Sequence, residues 1–393
     1  SSIRRHTRLG RWSRGLGDVY KRQACDYLKV VQALDIIHQE GGGPFEPIEL
    51  PAETRHLDLY HAQIRFLDKN WQPVALGRER ALDAINMARI GLAMSPGEMA
   101  NKPALFAIIN TNSPLQLDIP MAEGLMAMAG AGQAVCVTPF TLAGAMAPVT
   151  LAGTLAQQNA EALAGITLAQ VVRPGAPVVY GAFTSNVDMR SGSPAFGTPE
   201  YAKAAQASGQ LARRYGLPMR SSNVTSSNTV DAQSAYESAM SLWSAITGHA
   251  NIIVHAAGWL EGGLTASFEK LIVDAEMLQM MAEYLRPIEV NDDTLALDAI
   301  AEAGAGGHFF GVAHTMERYE TAFYQPFLGD RRNFETWEEA GSPGTPQRAN
   351  RIWKQLLAEY QQPPLDPAID EELADYVARR TAGADPADLF PAD

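Results

Sequence analysis

Cysteine is nearly absent: Cys25 and Cys136 are the only two in 393 residues. Two thiols cannot build a disulfide framework or a cysteine-rich metal site, so a reducing, cytoplasmic setting is the expectation. Long apolar runs are missing as well. No stretch of eighteen uninterrupted apolar residues occurs, and nothing is expected to span a membrane. Positive charge is in short supply, with 31 Lys and Arg against 44 Asp and Glu and a net charge of −13. Nucleic-acid phosphates require a surplus of Lys and Arg, which excludes them as the partner. The usual catalytic signatures are also absent. There is no G-x-S-x-G elbow for a nucleophilic serine, no H-E-x-x-H for zinc, and no G-x-G-x-x-G behind an early strand. His308 and His314, six residues apart, are off the spacing that one helix face needs. No metal is expected.

What is present is a sizeable apolar fraction, 46% against 19% charged, which one large α/β barrel can account for. The first 23 residues differ from the rest. They hold seven of the 31 basic residues and a single acid, Asp18. An organellar transit peptide has such a composition, but the segment resembles translated linker sequence and is read as a non-native leader. Without it the chain has 24 basic and 43 acidic residues, a net charge of −19. A lost N-terminus is part of this expectation.

Short apolar runs at 105–110, 134–138, 178–183, 218–221 and 252–255 alternate with helical patterns. Tyr201, Ala204, Ser208, Leu211 and Tyr215 fall at helical spacing. So do Tyr236, Ala239, Met240, Trp243 and Ile246, and Phe268, Leu271, Ile272, Ala275, Leu278 and Ala282. Strand–helix repetition at this spacing predicts a parallel sheet with helical crossovers, and strands without polar alternation fit burial on both faces. The fold expected is a (β/α)8 TIM-type barrel, truncated at its N-terminus, over residues 24–330. Earlier strands are expected within 57–75 or in the missing segment. After residue 326 the text turns polar and helical, which predicts a helical extension over 331–393.

Barrel chemistry sits where strands end and βα loops begin. Those loops hold amides, hydroxyls, aromatics and a few acids. Asn110, Asn112 and Ser113 follow one strand; Thr184, Ser185, Asn186 and Asp188 another; Ser221, Ser222 and Asn223 a third. Such residues also cap helices and bend loops. Asp231 falls in the first turn of a helix capped by Asn228 or Thr229, where a carboxylate suits the macrodipole or points across the mouth. The sharpest stretch is "IIVHAAGWLEGGLTASFEK", residues 252–270. A buried strand ends in His255, and a glycine-spaced loop then carries Trp259 and Glu261 before a helix that Thr265 can cap. A Trp beside a carboxylate suits a bulky, poorly hydrated cation, and Phe183, Phe309 and Phe310 can add walls.

The stretches "DAQSAYESAMSLWSAITGHANIIVHAAGWLEGGLTASFEKLIVDAEML" and "GGHFFGVAHTMERYETAFYQPFLGDRRNFETW" resemble the trimethylamine methyltransferase family, as does "MAEGLMAMAGAGQAVCVTPFTLAGAMAPVT". The resemblance covers roughly residues 56–353. It implies a barrel that passes a methyl group from a quaternary or tertiary methylamine to Co(I) of a separate corrinoid protein, so the cobalamin belongs to the partner and this chain binds no cofactor alone. Trimethylamine-using members carry pyrrolysine; none is present here, and members without it act on quaternary amines such as glycine betaine. Under this reading His308, Glu261 and Asp231 are the catalytic candidates. Trp259, Phe183, Phe309, His255, Asn110, Asn223 and His314 hold the substrate, while Arg190 and Met189 in the long 184–198 loop face the corrinoid protein. A homo-oligomer is left open. Two other readings stay open too: a different barrel enzyme such as a lyase, or a non-catalytic betaine-binding module.

Overall fold

The computed structural model describes residues 19–41 and 47–384. The expected leader lies outside these residues as far as residue 18, whereas residues 19–23 already belong to helix α1 (Val19–Gln32). A two-residue strand β1 (Gln39–Glu40), helix α2 (Arg55–Phe66), strand β2 (Asn70–Trp71) and helix α3 (Arg78–Gly91) follow.

Five strand–helix units come next. They are β3 (Phe106–Thr111) with α4 (Ile119–Gly130), β4 (Ala134–Pro139) with α5 (Leu151–Val172), and β5 (Val178–Gly181) with α6 (Pro199–Arg214). Then come β6 (Met219–Ser222) with α7 (Ala232–Thr247) and β7 (Ile252–Val254) with α8 (Phe268–Tyr284). All five strands are parallel and lie side by side in chain order. Each falls within two residues of its expected limits. The reason is steric: a helix of roughly three to six turns carries the chain back along the sheet, so the next strand can only enter parallel.

The closed eightfold barrel is not seen among the described residues. The main sheet has five strands, a half-barrel, and β1 pairs only with β2. Residues 57–75, expected to supply earlier strands, instead form most of α2 and the short β2. In α2 the buried side chains are His56, Leu57, Leu59, Tyr60 and Gln63, a spacing of three to four that belongs to a helix, and Asp58 occupies its first turn.

The helical extension is present as α9 (Thr345–Ala358) and α10 (Pro367–Ala382). Both helices are integrated into the body. Helix α9 lies along α8, with Ala349 buried and the Trp353 ring 4.6 Å from that of Phe268. Helix α10 packs on α3 through Leu373, and Arg380 and Tyr376 both donate to Asp83, which also bonds His56 at 2.9 Å.

Helix α7 departs from expectation in an instructive way. Its apolar face was expected to be Tyr236, Ala239, Met240, Trp243 and Ile246. The structure buries the opposite, serine-rich face: Ser234, Glu237, Ser238, Ser241, Leu242, Ser244 and Ala245. Tyr236, Met240 and Trp243 are exposed. Small residues let α7 approach the sheet and α8 closely, and the buried hydroxyls serve as hydrogen-bond partners.

Candidate active site

Alternation along parallel strands sorts their side chains into two faces. Register places Asn110 beside Thr138, and Arg220 between Gly181 and Ile252. Gly181 is required here, since a Cβ would lie 2.1 Å from Thr138 Oγ1. The space it leaves lies beside the longest side chain of the sheet. Arg220 is 1% exposed and is the one charged residue within the five strands.

Among the described residues no carboxylate pairs with this guanidinium. Nη1 donates to Ala182 O at 3.5 Å, Nη2 lies 3.5 Å from His255 Nδ1, and the group stacks 5.2 Å from the Phe183 ring centre. Nε has no partner at all. Two further buried polar atoms on the same strand end are unsatisfied, Ser222 Oγ and Asn223 Oδ1. Asn223 Nδ2 meanwhile donates to Ala256 O at 2.8 Å, tying the end of β6 to that of β7. Burial lowers the pKa of Arg220, but an arginine keeps its charge in a protein. A buried cation and orphaned polar atoms are each costly, which makes this cluster the candidate site.

His255 completes the cluster. Burial, with Arg220 as the second cause, pushes its pKa down to about 3, so the ring is neutral. Its backbone is in the left-handed region, with φ 54°, a conformation that costs free energy for a non-glycine residue and persists only where the surroundings enforce it. Enforcement is visible. Asp274 on α8 accepts from Gly258 N–H at 2.9 Å and is ion-paired with Lys270, whose Nζ also donates to Ser238 Oγ at 2.7 Å. Gly258 (φ 93°) packs so tightly on Tyr27 that a Cβ would sit 2.4 Å from the phenol oxygen. Because a guanidinium can only donate, Nδ1 of His255 is the acceptor and the ring proton is on Nε2.

Aromatic rings back this cluster. Phe183 stacks on Phe196 at 5.3 Å and lies 5.0 Å from Phe140; the Tyr201 hydroxyl donates to Ser222 O at 2.6 Å. Trp259 packs its ring against His255 at 5.1 Å and is half-buried. His255 and Trp259 line a cleft between β7 and the β1 segment that also includes Tyr27, Gln39 and Gln72.

The structure thus brings Phe183, His255, Asn223 and Trp259 together, and places Asn110 on the exposed end of β3. Other expected residues are held differently. Asp231 is itself the N-cap of α7, in a capping box with Ser234, rather than a first-turn residue behind Asn228 or Thr229. Glu261 (φ 52°) accepts from Thr265 Oγ1 at 2.8 Å in the loop before α8, and Ser267, not Thr265, caps that helix. Met189 and Arg190 are exposed in a tight turn organised by Asp188. His308, Phe309 and His314 lie in the 285–327 segment, which starts at the far end of α8 from the loop. No hydrogen bond or ring contact joins them to the strand ends; the ring neighbour of His308 is Phe310, at 6.0 Å. Among the described residues no three His, Cys, Asp or Glu side chains converge as a metal site, and no helix is long and apolar enough to cross a membrane.

Sequence reasoning missed Arg220 and Phe140, and gave Tyr201 only a place in a helical pattern. A signal for the first was available: "PMRSSN" holds a charge inside a strand, and arginine is almost never fully buried unless something pairs with it.

These features define a parallel half-barrel with a candidate site at the C-terminal strand ends. The comparisons with known proteins agree on its lineage. A family model for trimethylamine methyltransferase matches residues 17–385. The glycine betaine methyltransferase of Desulfitobacterium hafniense (strain Y51) is 42% identical over 356 residues, 90% of this chain and 74% of that protein. The trimethylamine methyltransferase MttB2 of Methanosarcina mazei is 34% identical over 279 residues, 70% of this chain and 56% of its own length. The trimethylamine methyltransferase MttB of Desulfitobacterium hafniense (strain DSM 10664 / DCB-2) is 31% identical over 322 residues, 81% and 64% respectively. The chain belongs to the trimethylamine methyltransferase family. It spans about three quarters of the first of these relatives and little over half of the methanosarcinal one.

Proposed function

We propose that this protein removes a methyl group from a quaternary amine bearing a carboxylate, of the glycine betaine type, and delivers it to Co(I) of a separate corrinoid protein. The observation that carries the reading is the buried, unpaired guanidinium of Arg220. A substrate carboxylate supplies the missing counter-charge, and Arg is the side chain best shaped to take it in two parallel hydrogen bonds. The Nε2–H of neutral His255 and the free Asn223 and Ser222 atoms are further polar groups at hand. Trimethylamine, with no carboxylate, leaves Arg220 unpaired, and its protonated form adds a second cation to the same site.

The rest follows from the chemistry of the substrate. A quaternary nitrogen is already charged, so when one N–CH3 bond breaks the electron pair stays on nitrogen and a neutral tertiary amine leaves. No proton need be moved. The side chains near Arg220 fit that demand: the Cys136 thiol is pushed up to about 11 by burial and stays protonated, and His255 is neutral. The partner's corrinoid supplies the nucleophile. This chain holds the carboxylate, offers the half-buried Trp259 ring to the ammonium, and so fixes which methyl group faces outward.

Calorimetry with glycine betaine, choline and trimethylamine tests the reading directly. Wild-type protein should bind glycine betaine at least tenfold more tightly than choline, which keeps the ammonium and lacks the carboxylate. Arg220→Met should lose about a hundredfold in betaine affinity, the worth of a charge-assisted buried pair. Equal binding of choline, or unchanged binding by Arg220→Met, would overturn it. Anaerobic mixing with reduced corrinoid protein and glycine betaine should then bleach the Co(I) absorption; binding without bleaching would leave a betaine-binding module.

A further inference from the structure

Residues 285–327 form an arm that leaves the body and comes back. It starts where α8 ends and is tied to α8 again by Glu276, which accepts the N–H groups of Phe327 and Leu328 at 3.1 Å each. Both ends are therefore fixed to one helix, so the arm is no linker to a further domain. Between them only Ala299 and Val312 are buried. Its ionic groups are partly satisfied within the arm itself, with Arg318 bridging Asp293 and Glu317 at 2.8 and 2.9 Å.

The apolar side chains of the arm remain uncovered. Ile288 is 90% exposed, Phe310 85% and Phe323 76%, and Val290, Leu297 and Tyr319 are each more than half exposed. At roughly 200 Å² for a fully exposed large side chain, these six open on the order of 800 Å². Contiguous apolar patches of more than a few hundred Å² are rare on a single folded chain, and all six of these side chains belong to the one arm. A second uncovered surface lies beside the root of the arm: the outward stripe Tyr236, Met240 and Trp243 of α7, with Trp243 edge-on to Tyr284 at 4.9 Å. Since Tyr236 and Met240 are open, the arm of the same chain does not cover them.

We infer that the occupant of this surface is a second copy of the chain, the arm of each copy covering the arm and α7 stripe of the other. The area decides for a dimer. A stable interface needs about 800 Å² per partner, and an isologous contact draws on the same patch twice, so two arms meet that requirement before the α7 stripe is counted. Charge speaks against the other classes: the arm holds seven acids and two bases, which repels nucleic acid and anionic lipid surfaces. This inference stands on surface chemistry and is independent of the proposed reaction.

The test is the mass of the full chain in solution. Light scattering behind size-exclusion chromatography, at micromolar concentration, should give two copies or a multiple of two for the wild type. Ile288→Asp/Phe310→Asp should give one copy with an unchanged far-ultraviolet circular dichroism spectrum. Val171→Asp, a charge placed on an exposed apolar residue of α5 (75% exposed), should leave the assembly intact. The milder pair Ile288→Ser/Phe310→Ser replaces the double aspartate if that chain does not fold. A monomeric wild type, an assembly insensitive to the arm substitutions, or one equally broken by Val171→Asp would overturn the inference. So would a monomer that instead forms a complex with corrinoid protein and loses it on arm substitution.

Discussion

At the ends of β6 and β7 the polar groups are buried and tied down, whereas along residues 285–327 the apolar groups face outward. Each region inverts what its composition suggests. Beneath the loops, carboxylates on the helices act as anchors. Glu237 of α7 accepts from Thr225 Oγ1 and from the N–H groups of Ser226 and Ser227, at 2.8 and 3.1 Å for the latter two. The carbonyls of Thr225 and Ser227 then accept from Gly262 and Glu261 at 2.8 Å. Glu161 of α5 does the same for Thr111, Ser113 and Leu115 N–H. Burial raises its pKa, but these hydrogen bonds outweigh burial and leave it below the usual value. Asp274 anchors Gly258. Buried charge holds the loops of the mouth, whereas the large apolar side chains of the arm are left uncovered by the described residues. The difference teaches where substitutions will hurt.

The largest effect is expected at Asp274. Its carboxyl is pushed up by burial and pulled back by Lys270. Asp274→Leu leaves Lys270 buried without its counter-charge and frees Gly258 N–H, which should cost about 3–5 kcal/mol in urea denaturation. Adding Lys270→Met should return much of that stability. It should not return betaine affinity, because Gly258 remains unanchored and His255 loses its enforced backbone. If the double variant binds betaine like wild type, Asp274 stabilises the chain without positioning the loop.

A smaller effect is expected from pH. Unfolded histidine takes up a proton below about 6.5, while His255 in the folded chain stays neutral down to about 3. Between those values the unfolded state binds more protons, so stability falls as pH drops through 6.5 and is unaffected above it. The slope is at most about 1.4 kcal/mol per pH unit, and less to the extent that the cleft wets the ring. The stability advantage of wild type over His255→Asn should therefore shrink as pH is lowered from neutral to 4.5. Parallel urea profiles for the two proteins would show that this ring is solvated in the folded state.

How far these regions could be read from the sequence follows from the same contrast. The five strands were legible because apolar runs at regular spacing leave a parallel sheet few alternatives, and Trp259, His255, Phe183 and Asn223 were legible as strand-end residues. Arg220 is not marked by a loop position, because its guanidinium reaches the strand ends from inside β6. Glu161, Glu237 and Asp274 look like ordinary helix acids, since nothing local marks a carboxylate that bonds to a loop. His308 and its neighbours were assigned to the mouth through the family resemblance; chain connectivity puts them on the arm. Helix α7 misled because periodicity finds an apolar face but not the direction in which it points.

That last point yields the smallest predicted effect. If the serine face of α7 is the packed one, Tyr236→Lys, at a residue 63% exposed, should change the unfolding free energy of the single chain by no more than about 0.5 kcal/mol. Measurement belongs at submicromolar concentration, where any contribution from a second copy is dissociated. Ser238→Leu is the counterpart on the buried face. It removes the hydroxyl that accepts from Lys270 and forces a branched side chain into a site packed for a small one. Overpacking of this kind costs roughly 1–3 kcal/mol. The substitution that follows the apolar pattern should thus be the harmful one, and the one that breaks the pattern should be silent. The reverse ranking would put Tyr236, Met240 and Trp243 back in the core and remove the α7 stripe from the proposed contact between copies.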